Sequence, residues 1–331
     1  MRISFLVFIV VFGLVSCTSE KDKKVYPEAE KSAKAVTIPE FNADSAYYFV
    51  KKQVSFGPRI PNTAAHQNAG DYFIAQFKKY GAAVFVQEFS APTYDNQKLN
   101  LRNIIASFNP EKKKRILLAA HWDTRPFSDK DPEKPNAQFD GANDGASGVA
   151  IWLEIARVMS DNQLPEVGVD FLLFDGEDWG EKEGQQNTHP LPEGLQDWWC
   201  LGSQHWSKNK HKPNYSAYYG ILLDMVGGKN AQFAREGYSM EYAPSVVDKV
   251  WNAASRSGFS HVFINAQAGF ITDDHKFVNE IGKIPMIDIV SYEQTAGFGD
   301  FHHTRKDNME IISKETLHAV GKTLLNAIYY E

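Results

Sequence analysis

Cysteine is almost absent from this 331-residue chain, which holds only Cys17 and Cys200. That excludes a disulfide scaffold and any thiolate-rich zinc site of the finger or ribbon kind. No basic surplus exists either: 35 Lys and Arg stand against 41 acids, a net charge of −6, where a nucleic-acid binder would show a basic face. Glycine (23) and proline (15) are too few for a collagenous or disordered chain. Also missing is an apolar run of the ~20 residues that a membrane-spanning helix needs. The longest, Ile3 to Val15, has about thirteen residues and follows Arg2, the pattern of a secretory signal.

Leu14-Val15-Ser16-Cys17 closes that run as a bacterial lipoprotein box, in which the cysteine is acylated and becomes the first residue. The expected organisation is a signal peptide at 1–16, a lipidated N-terminus and tether at 17–38, and one catalytic domain at 39–331. Residues 18–36 are charged and poor in large aliphatics, as a solvated tether would be. Lipid chains on Cys17 would anchor without spanning, making this a cell-envelope lipoprotein facing the periplasm. Thr18 rather than Asp after Cys17 leans toward the outer membrane. Cys200 is then left without a partner and is expected to be a small buried hydrophobe. No nucleic acid and no stable protein partner are expected.

Beyond residue 39 there is no second linker, repeat or low-complexity run. Helical periodicity marks residues 43–53, 64–79, 144–159, 244–257, 274–281 and 313–328. Strand-like segments fall at 84–89, 103–108, 115–120, 169–174, 218–223, 262–264 and 285–289. Apolar strands interleaved with helices imply an α/β domain, a mainly parallel twisted sheet sandwiched between helices. Sites in such sheets form where strands end.

Polar clusters stand at those ends. His121-Trp122-Asp123 follows the apolar run 115–120, although a lone His more often makes a structural hydrogen bond than a metal bond. Asp140-Gly141-Ala142-Asn143-Asp144 leads into a helix, with Asp144 expected at or near its N-cap. Glu177 and Asp178 are adjacent after a buried strand, which is costly unless a cation or a shared proton relieves their repulsion. Asp224 leaves another apolar strand, Asp273-Asp274-His275 opens a helix, and His302-His303 lie in a late loop. Carboxylates and imidazoles from five loops, with no thiolate, suit zinc.

In this order, the motifs His121-x-Asp123, Asp140-Gly-x-x-Asp144, Asp175-Gly-Glu177-Asp178, Leu223-Asp224, Asp274-His275-x-Phe277 and His303-Thr304-x-x-Asp307 resemble the zinc-dependent exopeptidase superfamily. It includes bacterial aminopeptidases and the animal-type glutaminyl-peptide cyclotransferases. The aminopeptidase pattern implies two zinc ions: His121 and Asp224 on one, Asp178 and His303 on the other, Asp144 bridging. The cyclotransferase pattern implies one, on Asp144, Asp178 and His303. Two features resemble the cyclotransferases: Asp273 ahead of Asp274-His275, and the segment Ser55-Phe56-Gly57-Pro58-Arg59-Ile60-Pro61-Asn62-Thr63. Trp179, Trp198 and Trp199 supply aromatics for a pocket, Trp199 being the expected substrate contact. The chain departs from the animal pattern at His302, where those enzymes have Trp, at Asp178, where they have Glu, and in an inserted stretch, 181–197.

The implied activity is conversion of the N-terminal Gln of peptides or proteins to pyroglutamate with release of ammonia. Glu177 would shuttle the proton from the α-amine to the leaving nitrogen, and Asp224 and Asp273 would form an acidic relay sharing a proton. The alternatives are a dizinc aminopeptidase and, from a different class, a non-catalytic binding lipoprotein.

Overall fold

A computed structural model describes residues 9, 37–182, 185, 188–292 and 297–331. Apart from Ile9, the expected signal segment, Cys17 and the tether as far as residue 36 lie outside the described residues. From residue 37 on, the described residues pack as one compact unit. None of the described helices is long and apolar enough to cross a membrane.

From residue 37 on, the first elements are two helices, α1 (Ala43–Val54) and α2 (Ala64–Lys79), each opened by a side-chain cap. Asn42 accepts from the Ser45 N–H and Thr63 from that of His66. A hairpin follows, β1 (Ala83–Pro92) and β2 (Lys98–Phe108), and then β3 (Arg115–His121), α3 (Ala146–Asp161), β4 (Gly168–Phe174), α4 (Leu201–Lys208) and β5 (Tyr219–Asp224). Next come β6 (Phe233–Arg235), α5 (Gly237–Tyr242), α6 (Pro244–Arg256), β7 (Phe263–Gln267), α7 (Asp274–Glu280), β8 (Met286–Val290) and α8 (Lys314–Tyr329).

Six strands form one sheet in the order β1-β2-β4-β3-β5-β8. The β4-β3, β3-β5 and β5-β8 pairings are parallel, because helices carry the chain back between those strands. The β1-β2 and β2-β4 pairings are antiparallel, since a short turn joins β1 to β2. The sheet is therefore mixed, with a parallel half that carries the polar clusters. Residues expected as a strand at 262–264 contribute to β7, which pairs with β6 in a separate two-stranded sheet. Helices α4 and α5 were not expected.

Both faces of the main sheet are covered. Ile116, Leu118, Leu173, Ile221 and Leu223 face a large core with α1, α3 and α8, whereas Leu117, Ala119, Leu172 and Leu222 face a second core with Trp206 of α4 and Val278 of α7. The period of two in a strand produces this division. At ~1.5–3 kcal/mol per large buried side chain, these layers hold the strand ends rigidly enough to place a site on them. Helix α3, buried nearly all round, runs from the loop that contains Asp144.

Candidate active site

The acidic and imidazole side chains of the site come from the carboxyl ends of the strands or the loops beyond them, mostly those of the parallel half of the sheet, while Asp273 follows β7 of the small sheet. His121 is the last residue of β3, Asp224 the last of β5, and Glu177 and Asp178 follow β4 across Gly176, whose φ of 73° turns the chain. Asp273 is the N-cap of α7. Asp144 stands near the N-cap of α3, one residue before it, but does not cap the helix. Gly145 occupies that position without a side-chain bond, and the Asp144 carboxylate points instead at His121 and His303.

Other polar groups fix the loops. Asp123 accepts from the N–H groups of Glu177 and Asp178, both at 3.1 Å. Asp307 accepts from Asn143 N (2.7 Å) and Asp144 N (3.1 Å), which sets the height of the Asp144 loop. The buried Arg59 guanidinium donates to the carbonyls of Trp122, Asp140 and Gly141 at 3.1, 2.7 and 2.7 Å. Gly141 has φ 59°, and a Cβ there would stand 2.5 Å from the Asp144 carbonyl. Arg59 thus explains the Ser55–Thr63 motif: its role is to hold the loop, not to touch a substrate. His303, Met225 and Cys200 also adopt left-handed backbone, at φ 54°, 49° and 57°. Such non-glycine conformations cost free energy and cluster at functional sites.

All five expected metal-type residues converge. His121 Nε2 lies 3.0 Å from Asp144 Oδ1 and 3.2 Å from Asp224 Oδ1. His303 Nε2 lies 3.2 Å from Asp178 Oδ1 and 3.8 Å from Asp144 Oδ2. Asp178 Oδ2 accepts from the Arg125 N–H at 2.9 Å, while Oδ1, although buried, makes no hydrogen bond. Donors around a tetrahedral zinc at ~2.0–2.1 Å would stand about 3.3 Å apart. Buried O and N atoms at comparable spacings fit such an ion.

The electrostatics agree. Burial, reinforced by Asp273 and Asp178 against the pull of His121, raises the Glu177 carboxyl well above its usual range. Asp178 is raised for the same first reason, with Asp144 adding to it. Burial lifts Asp224 to about 7, opposed by its hydrogen bond to His121. Asp273 is raised too, by burial. Asp144 moves the other way, because its contacts with His121 and His303 outweigh burial. The carboxylate neighbours of His121 raise its imidazole pKa well above the usual range despite complete burial. The acids raise one another's pKa because their negative charges would repel, a repulsion that a divalent cation among them would relieve.

A cavity of about 440 Å³ opens onto these groups, lined by Asp144, Glu177, Asp224, Asp273 and His303 and walled by Trp199, Ile271, Met225 and Phe298. Trp199 stacks parallel to His303, with ring centroids 5.8 Å apart, and under the Arg125 guanidinium at 4.6 Å. Trp179 packs with the Leu99–Leu101–Leu201 cluster and Trp198 bonds the His189 carbonyl, so neither lines the cavity as expected. Cys200 is more than a buried hydrophobe. Burial pushes its thiol pKa up, and Sγ donates to Glu177 Oε1 at 3.3 Å. Phe298, Ile271 and Met225 carried no sequence signal, since an apolar residue in a loop is chemically silent until folding aims it. A larger cavity of about 1480 Å³, between Phe41, Phe259 and Lys314, contains none of the site residues.

A model of peptidase family M28 matches residues 103–328. A glutaminyl cyclase from Bacteroides thetaiotaomicron is 47% identical, with a TM-score of 0.85 over 89% of this chain and 100% of its own. A Zn-dependent exopeptidase from Parabacteroides distasonis is 51% identical (TM-score 0.84, covering 89% and 100%). A leucine aminopeptidase precursor from Bacteroides thetaiotaomicron is 48% identical (TM-score 0.84, covering 89% and 99%). Among curated proteins, glutaminyl-peptide cyclotransferases of Drosophila melanogaster and Bos taurus are each 25% identical, over 53% and 67% of this chain. The matches span 46% and 64% of those relatives' length.

Proposed function

The chain belongs to peptidase family M28, and from that membership and the geometry of its site we propose that it is a zinc-dependent glutaminyl-peptide cyclotransferase. The observation that carries the proposal is the convergence of Glu177, Asp224 and Asp273 on one buried cavity beside Asp144 and His303. Three carboxyls of raised pKa beyond those needed to hold a metal suit a reaction that moves protons between two nitrogens. The similarity to a glutaminyl cyclase along nearly the whole described chain supports it.

Asp144, Asp178 and His303 would hold one zinc ion, which when bound would act as a Lewis acid toward the γ-carbonyl. The remaining work falls to the chain's own groups. The substrate's α-amine attacks its γ-carboxamide carbon, one C–N bond forming while the other breaks and ammonia leaves. Trp199, Ile271 and Phe298 confine the Gln side chain, so orientation within one molecule supplies much of the acceleration. Glu177 takes the proton from the amine and returns it to the departing nitrogen, and its raised pKa suits it to both halves of the transfer. Cys200 holds one oxygen of Glu177, leaving the other to work. Asp224 and Asp273 share a proton and orient the amine and the leaving amide.

One observation favours a second reading. His121, Asp144 and Asp224 form another buried group able to hold an ion, as a dizinc aminopeptidase would require. Incubating the purified protein with a Gln-initiated dipeptide separates the two. Ammonia and a cyclised peptide, with one zinc per chain, support the cyclotransferase; free amino acids with two zincs would establish the aminopeptidase. A non-catalytic lipoprotein would give neither product.

The expected placement at the envelope membrane through Cys17, with N-terminal Gln peptides as partners, belongs to the same proposal. Its support is the lipoprotein box and the charged stretch after it. Cys17→Ala should move the protein from the membrane to the soluble fraction.

A further inference from the structure

His302 is adjacent to an assigned ligand, is 5% exposed, and lines the same cavity. Its Nε2 lies 3.9 Å from Asp144 Oδ2, so that Asp144, His302 and His303 together could be taken for a metal triad. One contact argues otherwise. Lys130 Nζ stands 2.8 Å from His302 Nδ1. A lysine ammonium carries hydrogens and no lone pair, so at that distance Nδ1 must lend its lone pair to Lys130. In a neutral imidazole the hydrogen is then on Nε2, and no lone pair is left for an ion. His302 is a donor on the cavity side. Its ring is fixed as well, between Phe298 at 4.5 Å and His303 at 3.7 Å centroid to centroid.

Resting on the cyclotransferase reading for the nature of the ligand, we propose that Lys130 locks His302 as an Nε2–H donor to a carbonyl oxygen of the bound N-terminal Gln, and thereby keeps it out of the metal's coordination. His302 is a substrate-binding residue and Lys130 a positioning residue that acts through it. An N–H on the cavity side complements a carbonyl oxygen, and the wrong tautomer would present a lone pair to that oxygen instead. His302 and His303 are adjacent in sequence yet take opposite tasks, His302 being set by the Lys130 contact at its Nδ1.

The test uses the zinc-loaded full chain with ¹⁵N-labelled histidine. Two-bond ¹H–¹⁵N spectra report the tautomer of each ring, and His302→Gln identifies the His302 signals by their loss. The expected pattern for His302 is neutral Nε2–H, unchanged when zinc is chelated and restored, while the His303 pattern responds. Zinc content should be the same in His302→Gln as in the wild type. Lys130→Met should raise KM for a Gln dipeptide about fivefold, the worth of one hydrogen bond, with kcat nearly unchanged. An Nδ1–H tautomer, a His302 pattern that converts on zinc binding, or loss of zinc from His302→Gln would overturn the proposal. So would a Lys130→Met protein whose KM stays the same, or whose kcat falls while KM does not. If the wild type releases no ammonia, the functional reading fails, while the tautomer and zinc measurements still decide whether His302 is a donor or a ligand.

Discussion

Near the start of β4, Asp170 is buried under two nitrogens of Arg115, each at 2.6 Å, and the hydroxyls of Ser107 and Tyr215. Beyond the end of the same strand, Glu177 and Asp178 are buried too, and the basic groups beside them are His121, which Asp144 and Asp224 already share, His303, 3.2 Å from Asp178, and Arg125, 3.8 Å from it. The Asp170 carboxyl is pushed down, because its bonds to Arg115 and Ser107 outweigh burial; those of Glu177 and Asp178 are pushed up. One strand therefore carries a carboxylate with every lone pair engaged and two whose oxygens are only partly engaged. Complete pairing locks structure, while incomplete pairing leaves a group able to accept an ion or a proton.

If that distinction is right, the two ends must fail differently. Glu177→Gln should cut ammonia release by about 10²–10⁴ while zinc content and thermal stability stay near wild type; full turnover in this variant would remove Glu177 from the mechanism. Asp170→Ala, at the other end, strands Arg115 in the interior and should cost about 3–5 kcal/mol in urea unfolding. Turnover per folded molecule should not change. A variant that lost activity but kept its stability would show that the two ends are not separate.

Arg59 sharpens the comparison from between, since it is a fully engaged cation at the catalytic end. Arg59→Met frees the three carbonyls that shape the Asp144 loop, and zinc affinity should fall about 10- to 100-fold, measured by competition with a chelator. Unaltered affinity would mean that Asp307 alone sets the loop.

Much of this was legible in the sequence, and unevenly. The helix 64–79 was located to the residue, because its cap, period and length agree. The acids and imidazoles that follow apolar strands were conspicuous too, whereas Glu181 and Asp197, which line the same cavity, carried no such signal. The antiparallel edge was not, because β1 and β2 read like any other apolar strands and only pairing sets their direction. Nor was the split among the tryptophans: adjacent residues in an irregular stretch point to different places, and only Trp199 meets His303. The roles of Arg59 and Lys130 were hidden for another reason. Both act on groups far away in the chain, Asp140 and His302, and spacing carries no trace of such contacts.

The smallest expected effect is the one that tests the sign of the contrast directly. In the unfolded chain both Asp170 and Asp224 titrate near ~3.9. Folding lowers Asp170, so its stabilising contribution is present above that value and is lost as pH falls through the lower folded pKa. Folding raises Asp224 to about 7, so its contribution is complete below ~3.9 and is lost as pH rises through about 7. Urea midpoints of chelator-treated protein should therefore show opposite slopes. The wild type's margin over Asp170→Asn should shrink on acidification below pH ~4, and its margin over Asp224→Asn should shrink between pH ~4 and about 7, each by at most ~1.4 kcal/mol per pH unit for one proton. Zinc should flatten the second slope and leave the first alone, because a cation at the carboxyl ends of the strands relieves only the carboxylates gathered there. Parallel slopes for the two variants, or a zinc effect on Asp170, would mean that charge surplus does not distinguish the catalytic end of the sheet from its structural end.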